Sequence, residues 1–536
     1  MSLARAFLTV SGMTMLSRVL GLAREILIVA FLGSSPAAQA FFVAFRFPNL
    51  FRRFFAEGAF NMAFVPMFSK RVADDQAATP DGFEAGVAQR FGEEVQAGLL
   101  SVLFVLVLIA QLLMPWLMFA VAYGFADDPD KMALTVELAQ IQFPYLLFMS
   151  LVALFSGVLN ALGRFAVAAG APVLFNIFMI AALLLGAGLV ENAWGGEDPA
   201  AQEQIARYLA WSVFLAGLAQ LLLVRAAARR AGMRLRLRAP RWTPDMKRMV
   251  SLGVPGAIAG GVTQLNILIG TTIATFFDGA VVWLTLADRI YQLPLGVIGV
   301  AMGVALLPEL SRRVRAEDVA GARSALARAI EFSMVLTLPA AVALVLIGTE
   351  VSGLLFRIGA FTDDDVAQTG LALSIFALGL PAYVLIKALS PAFFAEEDTR
   401  RPLRYAAISM LVNTALSIGL APSLGWIAIP IATALSAWLN AGQLWWRLAT
   451  VGGYAVDARL ARRLMAMTAA SLAMGGVIAV AAVWMGPELT AHAYWRFPSV
   501  LGLVALGLGA YAIFATALGA VSLSELRGAL RRGASS

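Results

Sequence analysis

Apolar residues gather in long runs over the whole chain, separated by short polar or Gly/Pro-rich breaks. A helix needs about 20 consecutive apolar residues to cross the hydrocarbon core of a bilayer. Runs of that kind lie near 8–33, 39–68, 93–122, 133–160, 166–190, 204–227, 247–276, 280–308, 326–349, 367–395, 403–421, 425–448, 461–485 and 497–523. They predict an all-α polytopic membrane protein with about 14 transmembrane helices. The first run holds Arg18, Arg24 and Glu25 and is followed by no convincing small-residue cleavage site. A signal peptide keeps its core free of charge, so this run is expected to stay as the first helix.

The connections alternate in charge. Those after the even-numbered runs are basic: Lys70 and Arg71, Arg164, the series from Arg225 to Arg248, Arg312 to Arg328, Arg400 to Arg404, Arg447 to Arg463, and Arg527 to Arg532. Those after the first, third, fifth and ninth runs are acidic or uncharged, as at Gly33–Pro36, Asp127–Asp130, Glu191–Asp198 and Asp363–Asp365. Basic flanks stay on the cytoplasmic side. Both termini are therefore expected inside, which requires an even number of spans. This topology also accounts for the basic series 225–248, whose density alone would suit a nucleic-acid patch. No nucleic-acid partner is expected; contact of these segments with anionic membrane lipids is a secondary effect.

Part of the chain repeats. FPYLLFMSLVALFSGVLNALGRFAVAAGAPVLFN (143–176) aligns without gaps to LPAYVLIKALSPAFFAEEDTRRPLRYAAISMLVN (380–413). Pro144 matches Pro381, Arg164 matches Arg401 and Asn176 matches Asn413 at one constant offset. FVPMFSKRV (64–72) resembles LLPELSRRV (306–314), and Arg46 before Pro48 parallels Arg289 before Pro294. Runs 1–6 and 7–12 thus read as two pseudo-twofold six-helix lobes, parallel because six is even. The expected division is 1–228 for the first lobe, 229–450 for the second, and 451–536 for an additional helix pair with a cytoplasmic tail. Transporters with such halves carry substrate between them by alternating access.

Composition narrows the chemistry. With no cysteine, disulfides, thiolate nucleophiles and cysteine metal sites are excluded. The single histidine, His492, cannot build a triad or a metal cluster and reads as incidental. Asp363, Asp364 and Asp365 could pass for a metal-diphosphate motif, but no second acidic cluster lies near them, so they read as a solvated loop. No phosphate-cradling loop, nucleophile elbow or paired catalytic carboxylates are present. An enzyme is not expected.

What remains is charge inside the spans. Phe41–Pro66, FFVAFRFPNLFRRFFAEGAFNMAFVP, is apolar enough for a bilayer yet holds Arg46, Arg52, Arg53 and Glu57, with breaks at Pro48 and Gly58. An ionisable residue at the bilayer centre costs roughly 2.5 kcal/mol or more, so such residues face a hydrated cavity or a partner. Arg18 and Arg24, read as roughly 60° out of phase, are expected in one sector of the first helix. Asp288-Arg289 is the matching feature of the second half. Each arginine alone could pair with a nearby acid or reach an interface. As a group they outnumber Glu25 and Glu57, and an anion should complete the balance. Guanidinium favours phosphate, because its planar fork makes bidentate contacts. Asn49, beside Pro48, is either a helix-break cap or a substrate contact. Gln39 and Gln292 could bond substrate or a neighbouring helix. The glycines of 253–261 and 296–303 suit close packing and hinge bending.

SRVLGLARE (17–25), AFFVAFRFPNLFRRFFAEGAFNMAFVP (40–66) and ADRIYQLPLGVIGVAMGVALLPELS (287–311) closely resemble the MurJ/MviN lipid II flippases of the MATE-like multidrug/oligosaccharidyl-lipid/polysaccharide exporter superfamily. The similarity extends over essentially the whole chain. It implies a multi-pass protein of the bacterial inner membrane that moves undecaprenyl-pyrophosphoryl-MurNAc-pentapeptide-GlcNAc, lipid II, from the cytoplasmic to the periplasmic leaflet. It implies a central cationic cavity, and a tail groove formed by the last helix pair with the second lobe. Essential family residues map onto Arg18, Arg24, Asn49, Arg52, Glu57 and Arg289, and Arg53 joins them by position. Some members have an acid where this chain has Gln39, and some have Glu where it has Gln292, so coupling schemes relying on those carboxylates are in doubt. No cofactor is implied; a coupling ion such as Na+ or H+ is left open. The expected form is a monomer, alone or with cell-wall synthesis proteins. The competing readings are an exporter of another polyprenyl-linked oligosaccharide or of drugs, and a membrane glycosyl- or phosphotransferase. A drug-cation exporter should have an anionic cavity, and a transferase should have clustered aspartates.

Overall fold

The computed structural model describes residues 3–52, 59–78, 86–190, 194, 198–301, 306–450, 457–491 and 493–520. Every regular element among them is helical. The first apolar run forms α1 (Leu3–Leu32), and the second divides into α2 (Pro36–Arg52) and α3 (Ala59–Ala78). The third forms α4 (Val87–Val121). The fourth breaks at Phe143-Pro144 into α5 (Pro129–Gln142) and α6 (Tyr145–Ala161). Then come α7 (Phe165–Leu189), α8 (Pro199–Arg230) and α9 (Pro244–Ala274). The eighth run gives α10 (Ala280–Ala301) and the short basic α11 (Leu307–Arg315). The remaining runs give α12 (Val319–Phe356), α13 (Asp363–Ala395), α14 (Arg400–Leu424), α15 (Ala428–Thr450), α16 (Ala458–Ala491) and α17 (Ala493–Ala517).

Among the described residues nine segments are long and apolar enough to cross a membrane, and two of these, Pro129–Ala161 and Arg400–Thr450, each join two helices. This is a multi-pass membrane protein. Outside that group fall α1, α2, α9 and α10, which include the helices carrying the candidate charges. The other helices show the opposite pattern. On α4, Phe104, Leu108, Leu112 and Trp116 recur every four residues and are all exposed. Such a stripe has no aqueous rationale and belongs against lipid tails.

Local chemistry starts several helices. Asp128 accepts a hydrogen bond from the Lys131 amide at 3.0 Å, and Thr243 accepts one from the Met246 amide at 3.3 Å. Thr362 and Asp365 form a reciprocal capping box. The triple aspartate is therefore the first turn of α13 and not a loop, with Asp363 and Asp364 exposed as expected and Asp365 not. Asp365 is buried and also accepts from the Trp283 indole at 2.7 Å, while Asp363 meets Arg357 at 3.0 Å. Carboxylates in a first turn complement the helix dipole and the unpaired amides there.

The chain forms two compact units, Met1–Val282 with Ile358–Phe361, and Trp283–Arg357 with Thr362–Ser536. In the first, Phe64 and Phe68 stack at 5.1 Å, and Phe45, Tyr145 and Phe175 form a second aromatic group. In the second, Leu326, Ile330 and Met334 of α12 pack with Leu389 of α13, Leu444 of α15, and Met467, Met474 and Ile478 of α16. The α16–α17 pair is thus docked on α12. A Cβ on Gly475 would lie 2.7 Å from Val342, so a small residue is required where α16 crosses α12.

Candidate functional site

In the first unit, one face of α1 is committed to α7. Asn176 donates to the Ser17 carbonyl oxygen at 2.9 Å, and Gly21 faces the same amide. Seven residues after Ser17, close to two full turns, Arg24 donates to Asn176 Oδ1 at 2.9 Å. Arg24 also meets Glu25 at 2.9 Å, and its guanidinium lies 5.5 Å from the Phe175 ring centroid. Arg24 and Glu25 are both buried. Glu25 is adjacent in sequence, and the long arginine side chain bends back to it.

Two expectations change here. Arg18 does not share a sector with Arg24: six steps of about 100° leave them about 120° apart. Arg18 is exposed and makes no ion pair among the described residues. Nor is Arg24 an uncompensated cation, since Glu25 supplies its countercharge.

On α2, Arg46 is half-buried and donates to Thr271 Oγ1 of α9 at 2.6 Å. Asn49 is half-buried and has an interacting partner. Arg53 and Glu57 lie outside the described residues, as does the side chain of Arg52, the last residue of α2. Gln39 is fully buried, so its bonds are internal ones. Its amide donates to the Ser34 carbonyl oxygen at 3.1 Å, and its Oε1 accepts from Lys131 Nζ at 3.4 Å.

Lys131 was not legible as a site residue. Its side chain is buried, with Nζ 3.1 Å from Asp278 and 4.1 Å from the Phe125 ring centroid. The only sequence signal was a lone lysine closing the acidic connection Asp127–Asp130. Beside this network, Gly124 N donates to Thr275 Oγ1 at 3.1 Å, and Ala360 N donates to the Ala30 carbonyl oxygen at 2.8 Å. The ends of α1, α4 and α9 and the starts of α2 and α5 thus meet at the acidic end of this unit. Gly33 and Gly359 both have positive φ there, at 57° and 59°. A Cβ on Gly33 would lie 2.5 Å from the Ala360 carbonyl oxygen, and one on Gly359 would collide with that of Ala30.

In the second unit, Asp288 and Arg289 of α10 are half-buried and each has an interacting partner. Gln292 is exposed and donates to Asp288 one turn earlier. Tyr291 packs on Tyr383 and Phe376 of α13, with ring centroids 5.7 and 5.8 Å away. One turn beyond Tyr383, Lys387 is exposed, a lysine within the predicted span 367–395 that the sequence reading does not single out. Among the described residues no group of acidic or histidine side chains could hold a metal ion.

Arginines on helices of the bundle, with buried polar partners, suit recognition of an anion by a membrane protein. A family model described as lipid II flippase MurJ matches residues 28–504. The chain belongs to the MurJ lipid II flippase family. A probable lipid II flippase MurJ of Rhizobium tropici is 46% identical over 99% of this chain and 97% of its own. Among solved structures, a lipid II flippase MurJ in an inward closed conformation covers 95% of this chain and 98% of its own, with TM-score 0.75 and 23% identity. An inward-facing MATE-family multidrug resistance transporter covers 83% of this chain and 98% of its own, with TM-score 0.61 and 16% identity. Both structural likenesses describe the fold. In this MurJ-family chain the fold holds Arg24, Asn176 and Glu25 in one unit and Asp288, Arg289 and Gln292 in the other.

Proposed function

We propose that this chain is a transporter, not an enzyme, that flips lipid II from the cytoplasmic to the periplasmic leaflet of the bacterial inner membrane. The observation that carries the reading is family membership over 28–504, nearly the whole of the helical bundle. The chemistry agrees with it. Lipid II presents a pyrophosphate, and Arg18, Arg24, Arg52, Arg53 and Arg289 would grip it through bidentate contacts. Asn49, Gln39 and Gln292 would contact the headgroup, and Glu57 would orient the arginines around it.

The sequence repeat supports two lobes, 1–228 and 229–450, that rock to give alternating access. The docking of α16 on α12 supports a role for 451–536 beside the lipid tail. The charge alternation supports fourteen spans with both termini in the cytoplasm. The protein would act as a monomer.

Depletion in cells tests the reading. Lipid II should then accumulate in the cytoplasmic leaflet. Arrival in the periplasmic leaflet at the normal rate, in a strain lacking any other flippase, would refute the proposal.

A further inference from the structure

The second unit holds a cavity of about 300 Å³ that the transport reading does not use. It opens where α12, α15 and α16 meet, at the arginine-rich end of these helices. Its polar side is formed by Arg323 and Arg328 of α12 and by Arg459 of α16, its apolar side by Leu326, Leu389 and Trp445. We propose that this cavity binds the headgroup of an anionic phospholipid, held by a phosphate between these arginines. The inference is independent of what the protein transports.

The local charges leave a place for an anion. Two carboxylates line the cavity, one paired with an arginine and one capping a helix while keeping its charge. Glu331 accepts from Arg463 at 2.7 Å, and Asp457 accepts from the Leu460 amide at 2.7 Å as α16 begins. Arg328 donates to Ser324 Oγ at 2.6 Å, which supplies no countercharge. Arg323, Arg328 and Arg459 thus have no ion-pair partner among the described residues. All three are exposed, and with Arg463 held by Glu331 they outnumber the remaining carboxylate, Asp457, so a phosphate between them would gain charge-assisted hydrogen bonds.

The surroundings choose a lipid over a free anion. A soluble phosphate needs no apolar wall, yet half the lining is hydrocarbon or indole. Four and eight residues after Arg328, on the same face of α12, Phe332 and Leu336 are exposed, giving acyl chains a path along the helix from the cavity mouth. Trp445 is of the type enriched at membrane–water interfaces. By the charge alternation this end faces the cytoplasm, where anionic headgroups concentrate and where basic pockets between helices take them. A bound lipid would join α12 to α16 and so strengthen the seating of the terminal helix pair.

The test uses full-length protein, delipidated in a neutral detergent and titrated with phosphatidylglycerol, phosphatidylethanolamine or inorganic phosphate. Lipid retention is read by native mass spectrometry and thermal unfolding by the melting midpoint. Phosphatidylglycerol should be retained and should raise the midpoint; the other two should do neither. Arg323→Gln/Arg459→Gln should weaken retention about thirtyfold. Arg328→Gln alone, the second variant should the double one fail to fold, should weaken it about fivefold. Equal retention by the folded variants, or equal retention of the zwitterionic lipid, overturns the proposal. Stabilisation by inorganic phosphate matching that of the lipid overturns the lipid assignment in favour of a free-anion site.

Discussion

The guanidinium of Arg24 is joined to Asn176 at 2.9 Å, across 152 residues of sequence, and with the Asn176 bond to Ser17 it ties the charged part of α1 to α7. Asn176 is the repeat partner of Asn413, which is also buried but accepts from Ser417 in its own helix at 3.1 Å. The two halves thus keep a buried asparagine at the matching position. In the first half it orients a cation.

That geometry lets a structural role of Arg24 be tested apart from the proposed transport role. Arg24→Ala breaks a buried ion pair, a change that costs up to about 3–5 kcal/mol. The variant should reach the membrane at reduced abundance. Arg24→Ala/Glu25→Gln should restore folded protein, measured by size-exclusion chromatography, without restoring growth in a depletion strain. Recovery of growth by the double variant would give Arg24 a purely structural role.

Lys131 and Gln39 make a second test. Gln39→Glu places a carboxylate within reach of Lys131 Nζ, now 3.4 Å from the Gln39 oxygen, and should be tolerated. The same change in a Lys131→Met background buries an unpaired charge. Thermal unfolding of the four proteins should give a coupling of about 1–3 kcal/mol. Additive effects would contradict the contact.

The glycine crossing gives a third. Gly359→Ala forces a left-handed backbone on a residue with a Cβ, costing roughly 1–2 kcal/mol, and adds a collision with the Ala30 carbonyl. The melting midpoint should fall clearly. Gly419→Ala, where nothing lies within 4 Å, should leave it unchanged or raise it. Equal midpoints for the two variants would contradict the close approach.

Helices were legible because a span depends on length and apolarity, both read directly from the chain. Breaks were less so: Pro144 separates α5 from α6, whereas its repeat partner Pro381 sits inside an uninterrupted α13. Proline permits a break, and neighbouring helices decide whether one forms. The arginines were found because charge in an apolar run is conspicuous. Their surroundings were not, since pairing depends on contacts such as Lys131 with Asp278, 147 residues apart. The sector shared by Arg18 and Arg24 failed on phase alone. Asp365 looked solvated because the sequence cannot show that Trp283 reaches it.

Transport itself is tested most directly in proteoliposomes of purified protein with lipid II placed in one leaflet. The rate at which lipid II becomes accessible to a membrane-impermeant probe on the other side is measured. The wild-type chain should raise that rate well above protein-free vesicles, and Arg18→Ala and Arg289→Ala, purified as folded protein, should return it to the background. A wild-type rate no higher than that of empty vesicles, under every ion gradient and membrane potential applied, would contradict the assignment.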